Sequence, residues 1–198
     1  GGFAFQNYDL FVLSGLKKDG MVHEISHLLL HQSMQSYTAR IPAWLNEGLA
    51  MYFESSPHGR TEILNQAALD GKLLKLRSMN TVPGKPENVR IFYAQSWSIV
   101  QYLIDTYGPA NITSVIRAIS SGTHADHAVQ QAYGFSLEQI ENRWKKEIIG
   151  ATPLSPRPNI GTAVSTAIIG SSVALAIVAS FVRWIFRRMK SSNSNTDL

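Results

Sequence analysis

The chain has 198 residues, 18 Lys plus Arg against 14 Asp plus Glu, and no cysteine. That length suffices for one ordinary domain whose core needs no covalent staples, and the missing cysteines exclude a disulfide framework, a thiolate zinc site and a cysteine nucleophile. The net charge of +4 suggests nucleic acid or an anionic surface as partner and the mean hydropathy of −0.05 a plain soluble protein, but both are averages over two unlike segments.

In chain order, residues 1–5 and 9–14 are short and rich in aromatic and aliphatic side chains, which predicts a strand pair. The chain opens on Gly1-Gly2 without Met, as a processed or truncated product would. From Gly20 the apolar period turns helical, giving a helix over residues 21–34. Pro42 suits a first helical turn and begins a second helix reaching about Glu54. Residues 60–74 and 92–107 form further helices, the latter stopped by Gly108-Pro109. Between them, residues 78–89 hold Pro83, Gly84 and Pro86 and are expected to form a loop. Residues 111–120 and 125–133 follow as helices, and Ser136-Leu137-Glu138-Gln139 is a capping box opening a last helix through Ile149.

Beyond that helix the composition changes. Residues 151–159 carry Pro153, Pro156 and Pro158 and read as a stiff linker. Residues 160–182 are 23 positions without a charge, Asn, Gln, His or Pro. A helix of that length spans a hydrocarbon core of roughly 30 Å. Arg183, Arg187, Arg188 and Lys190 follow at once, with Trp184 and Phe186 suited to the interface. This is the pattern of a single transmembrane helix with a basic stop-transfer cluster and a short polar tail over residues 183–198. The positive-inside rule places the tail in the cytoplasm and residues 1–158 on the extracytoplasmic face of a cell membrane. Residues 1–158 hold 14 basic and 13 acidic side chains, a net of +1, with no basic patch interleaved by aromatics. Nucleic acid is therefore not an expected partner, whereas the lipid bilayer is.

The chemistry is concentrated near the start of the helical region. His23-Glu24-Ile25-Ser26-His27 is an H-E-x-x-H motif, and residues four apart on a helix present both imidazoles to one ion. Zinc needs a third protein ligand and an open position. Glu47 supplies a carboxylate 20 positions after His27, far enough for one helix to end and a second to return. Both motifs sit among apolar residues, Met21, Val22, Ile25 and Leu28 on one side and Trp44, Leu45, Leu49 and Ala50 on the other. Two His and two Glu are costly to bury there without a purpose. The expected site is one Zn2+ held by His23, His27 and Glu47, with Glu24 beside it to take a proton from water. His31 lies one turn further on and is expected at the surface or behind the ligands; His58, His124 and His127 are expected to be structural.

His23-Glu24-x-x-His27 followed by Trp44-Leu45-Asn46-Glu47-Gly48-Leu49-Ala50 resembles the gluzincin metallopeptidases, specifically the peptidase MA-like group. Tyr93-Ala94-Gln95-Ser96-Trp97 and Phe135-Ser136-Leu137-Glu138-Gln139 with Trp144 resemble its downstream helices. The resemblance covers residues 1–150 and implies an α+β, mostly helical, zincin-like (thermolysin-like) catalytic domain with a small N-terminal sheet. It implies a zinc metalloendopeptidase-type hydrolase acting on a peptide or protein, with Glu24 as general base. A Tyr or His from a downstream element stabilises the oxyanion in that group, and Tyr93, expected to open a helix, is the candidate. The strand pair would offer its edge to an extended substrate. One departure stands out: thermolysin-like enzymes place an acid four positions after the ligand Glu, and here that position is Met51. Glu54, expected on the same helix face, is the replacement partner for a ligand imidazole. The competing expectation is a catalytically silent member that keeps the fold as a tethered binding module; an intramembrane protease would need the motif inside the apolar run.

Overall fold

A computed structural model describes residues 2–5, 10–13, 18–36, 39–57 and 59–150, the two strands by backbone alone. The Pro-rich linker, the apolar run at 160–182, the basic cluster and His58 lie outside the described residues. Among the described residues no helix is long and apolar enough to cross a membrane.

Strands β1 (Gly2–Phe5) and β2 (Leu10–Leu13) pair antiparallel, with Gly2 opposite Leu13 and Phe5 opposite Leu10. Helix α1 (Lys18–Gln32) packs beside both strands and against α2 (Ala43–Tyr52). The helices α3 (Arg60–Leu69), α4 (Pro86–Tyr107), α5 (Pro109–Ser120), α6 (Ala125–Tyr133) and α7 (Leu137–Trp144) complete the mostly helical domain.

The hub is α4. Its 22 residues bury Phe92, Ala94, Gln95, Ser96, Ile99, Val100 and Leu103, more than one face, because α2, α3, α5 and α7 all pack on it. Trp44 and Leu45 from α2, Ile112 and Ile119 from α5, and Ile140 and Trp144 from α7 are also fully buried. The closest approach is at Gly48, where a Cβ would stand 2.5 Å from Val100 Cγ2 and 2.6 Å from the Ser96 carbonyl oxygen. Only glycine lets α2 and α4 come together here, one residue from Glu47. Trp144 Nε1 donates to Ser98 Oγ at 3.1 Å, and Gln95 exchanges two hydrogen bonds with the Leu74 backbone, so these polar groups inside the core are paired, whereas Trp44 Nε1, Ser96 Oγ and Tyr133 Oη are buried without a hydrogen-bond partner among the described residues.

Several helix boundaries differ from the expected ones, among them the end of the last α-helix at Trp144 rather than Ile149, and three differ for an identifiable local reason. The third helix stops at Leu69 rather than running to residue 74. Gly71 adopts φ +64°, and the Lys72 N–H reaches back to the Ala67 carbonyl while the Gly71 N–H reaches Ala68, which is a Schellman close. Helix α4 begins at Pro86, six residues before Phe92, so the expected loop over 78–89 is confined to residues 79–85. Pro86 sits at a first-turn position, where its missing N–H costs nothing and its φ is already helical, so it starts this helix instead of excluding one. Tyr93 consequently lies inside α4 and does not open it. Helix α2 ends at Tyr52, with Phe53 as its cap, which leaves Glu54 in the following turn and off the helix face. The Ser136 capping box forms as expected, both of its reciprocal bonds being made with Gln139.

Candidate metal centre

Helix α1 carries His23, Glu24 and His27 on the side that meets α2, and Glu47 faces them from the second turn of α2. Pro42 precedes α2 with extended ψ, and the helix then places Asn46 and Glu47 next to the first. Glu24 and His27 are buried, while His23 and Glu47 keep partial exposure. The site is thus open on one side.

The two imidazoles converge on one oxygen. His23 Nε2 lies 3.5 Å and His27 Nε2 3.6 Å from Glu47 Oε2, and one ligand atom of each residue falls within 4.8 Å of the others. The rings meet edge to face, centroids 4.7 Å apart. Ligand bonds of about 2.1 Å in tetrahedral geometry put neighbouring donor atoms about 3.4 Å apart. Two of the three edges match that separation.

What turns the Nε2 atoms inward is the bond made by each opposite nitrogen. His23 Nδ1 donates to Glu54 Oε1 at 2.7 Å, and His27 Nδ1 donates to Asn46 Oδ1 at 3.0 Å. In the neutral tautomer that keeps the proton on Nδ1, each Nε2 lone pair is left for an ion. Glu54 in turn is held by Arg60, whose guanidinium contacts its second oxygen. Burial alone would raise the Glu54 carboxyl, but hydrogen bonds from His23 and Arg60 hold its pKa below the ordinary carboxylate value. Burial opposes a charge on His23, yet the Glu47 and Glu54 carboxylates outweigh it and push its pKa up to about 9. The group therefore attracts positive charge, and two neutral imidazoles with a carboxylate are the donor set suited to zinc. These residues fit a metal ion.

Tyr93 reaches the site from α4. Burial, and the nearby negative charges of Glu47 and then Glu24, push its phenol pKa above the ordinary value. The hydroxyl therefore stays protonated and able to donate. His31, His124 and His127 are exposed and stand apart from this cluster.

Sequence reasoning named His23, Glu24, His27, Glu47, Glu54 and Tyr93, and the structure gathers all six. It missed two partners. Asn46 was signalled by lying beside Glu47 in the same turn. Arg60, 8% exposed, gave no local signal beyond opening a helix, because its partner is reached through a turn.

Neither the comparison with curated proteins nor that with solved structures returned a significant match. The family model of the peptidase MA superfamily matches residues 1–150, which include both ligand helices, Tyr93 and the closing capping box. Over that span the chain belongs to the peptidase MA superfamily.

Proposed function

We propose that this chain is a membrane-anchored zinc metallopeptidase that hydrolyses peptide bonds on the extracytoplasmic face. The observation that carries the reading is the convergence of His23 Nε2 and His27 Nε2 on Glu47 Oε2, each ring fixed by a bond at its other nitrogen. The peptidase-type family supports a peptide or protein substrate. The apolar run at residues 160–182 and the four basic residues after it support the anchor and its orientation.

His23, His27 and Glu47 would hold the ion, and Asn46 and Glu54 keep the imidazoles in their ligating tautomer. Zinc, when bound, supplies Lewis acidity toward the scissile carbonyl and the attacking water. Glu24, next to His23 on α1 and buried, takes a proton from that water and delivers it to the leaving amine. Tyr93, kept protonated by its surroundings, donates a hydrogen bond to the oxygen on which negative charge develops. The exposed sides of His23 and Glu47 are where substrate and water arrive.

The test is turnover of a peptide library by the full chain, beside its Glu24→Gln variant. Expected are chelator-sensitive cleavage in the wild type and loss of cleavage with retained zinc in Glu24→Gln. Zinc-loaded wild type that binds peptides without cleaving them would replace this reading by the silent binding module.

A further inference from the structure

The carboxylate that orients His23 stands in an unusual place. Met51 occupies the helical position where an acid would face the ligands, and it is buried at 3% exposure. Glu54 stands beyond the helix end, its N–H bonded to the Met51 carbonyl at 3.3 Å. A side chain in a turn has both backbone and rotamer freedom to lose before it can hold another residue still. Something else must fix it.

Arg60 meets that requirement. It is the first residue of α3, entered through Gly59 at φ +75°. An arginine there opposes the helix dipole, and at 8% exposure its charge has left water, so neither helix formation nor solvation explains it. Its contacts do. The guanidinium bonds Glu54 Oε2 while His23 Nδ1 takes Oε1, so the carboxylate is gripped at both oxygens. Another guanidinium nitrogen donates to the Ser56 carbonyl at 3.3 Å, and the group lies 5.9 Å from the centre of the Trp97 ring on α4. The turn is also pinned from α1, where Asp19 accepts bonds from the Ser55 N–H at 3.1 Å and from its hydroxyl.

We propose that Arg60 is a positioning residue for the metal centre: it locks the Glu54 carboxylate against His23, and so sets how firmly His23 presents Nε2 to the ion. The proposal rests on the zinc reading of the His23–His27–Glu47 site. Arg60 touches neither the ion nor substrate; it acts through Glu54.

Zinc affinity of the full chain, measured by competition with a chromophoric chelator, tests this with Arg60→Ala, Arg60→Lys, Glu54→Gln and the Arg60→Ala/Glu54→Gln pair. Removing an outer partner of a ligand weakens metal binding about tenfold or more. Arg60→Ala should show such a loss, Arg60→Lys should recover part of it, and Arg60→Ala should cost nothing further once Glu54 is Gln. Should Arg60→Ala not fold, the same comparison runs with Arg60→Lys alone and on Glu54→Gln. Wild-type affinity in a folded Arg60→Ala, or an equal loss from it with and without Glu54, overturns the positioning role. A wild-type chain that takes up no zinc overturns instead the reading of the site on which the proposal stands.

Discussion

His23 Nδ1 donates to Glu54 Oε1 at 2.7 Å, across 31 positions of sequence, whereas the equivalent nitrogen of His27 has only the neutral amide oxygen of Asn46, at 3.0 Å. Hydrogen bonds to an ionised partner are roughly twice as strong as neutral ones. The two imidazoles are thus supported unequally. Glu54→Ala should weaken zinc binding by about 10- to 100-fold, and Asn46→Ala by less. Chelator competition on both variants checks the order.

Gly48 links the core to the site. A methyl group there would meet Val100 Cγ2 and the Ser96 carbonyl well inside contact distance, and the backbone oxygen has no room to yield. Gly48→Ala should therefore force α2 away from α4, at a cost of about 1–3 kcal/mol. It should also displace Glu47, so zinc affinity falls together with the unfolding midpoint. A thermal melt and a metal titration on the same sample test both effects.

The charge on His23 makes the metal-free chain sensitive to pH. Its folded pKa of about 9 lies above the ordinary value of 6.5. The stabilisation from its protonated form is fully present below about 6.5 and is lost as pH rises through 9. Zinc must displace that proton, so its apparent affinity should rise with pH up to about 9 and level off above it. Unfolding of the metal-free chain between pH 6 and 9, with His23→Gln as the control lacking this dependence, measures the first effect.

Tyr93→Phe separates catalysis from binding. Tyr93 lies within the field of Glu47 and Glu24 and outside the proposed His23–His27–Glu47 ligand set, so the variant should retain its zinc. Loss of one oxyanion donor lowers kcat by about 10²–10³-fold. Steady-state kinetics with metal content determined alongside decide whether the loss falls on kcat.

The sequence made the His23–His27–Glu47 group legible because helical spacing alone puts His23 and His27 on one side, and an acid in an apolar stretch such as Glu47 calls for a partner. Glu54 was found by looking for the acid absent at Met51, although its place in a turn, not on the helix, was not legible. Its hold on Arg60 was hidden because the two residues belong to different elements, brought together by the turn at Ser55 and Ser56 and the left-handed Gly59. Helix ends were misjudged where one residue carries two meanings. Pro86 punctuates a loop in one setting and starts a helix in another, and Gly71 is tolerated inside a helix or closes it. What decides between them lies further along the chain: the helix that Pro86 starts is held by its buried face from Ile91 onward.

The central claim, a three-ligand zinc site built from His23, His27 and Glu47, is tested most directly by metal stoichiometry. The full chain, purified and dialysed against metal-free buffer, is analysed by elemental mass spectrometry beside Glu47→Ala. The account predicts one zinc per chain in the wild type and almost none in the variant. A folded wild-type chain that holds no zinc, or a variant that holds as much, would contradict it.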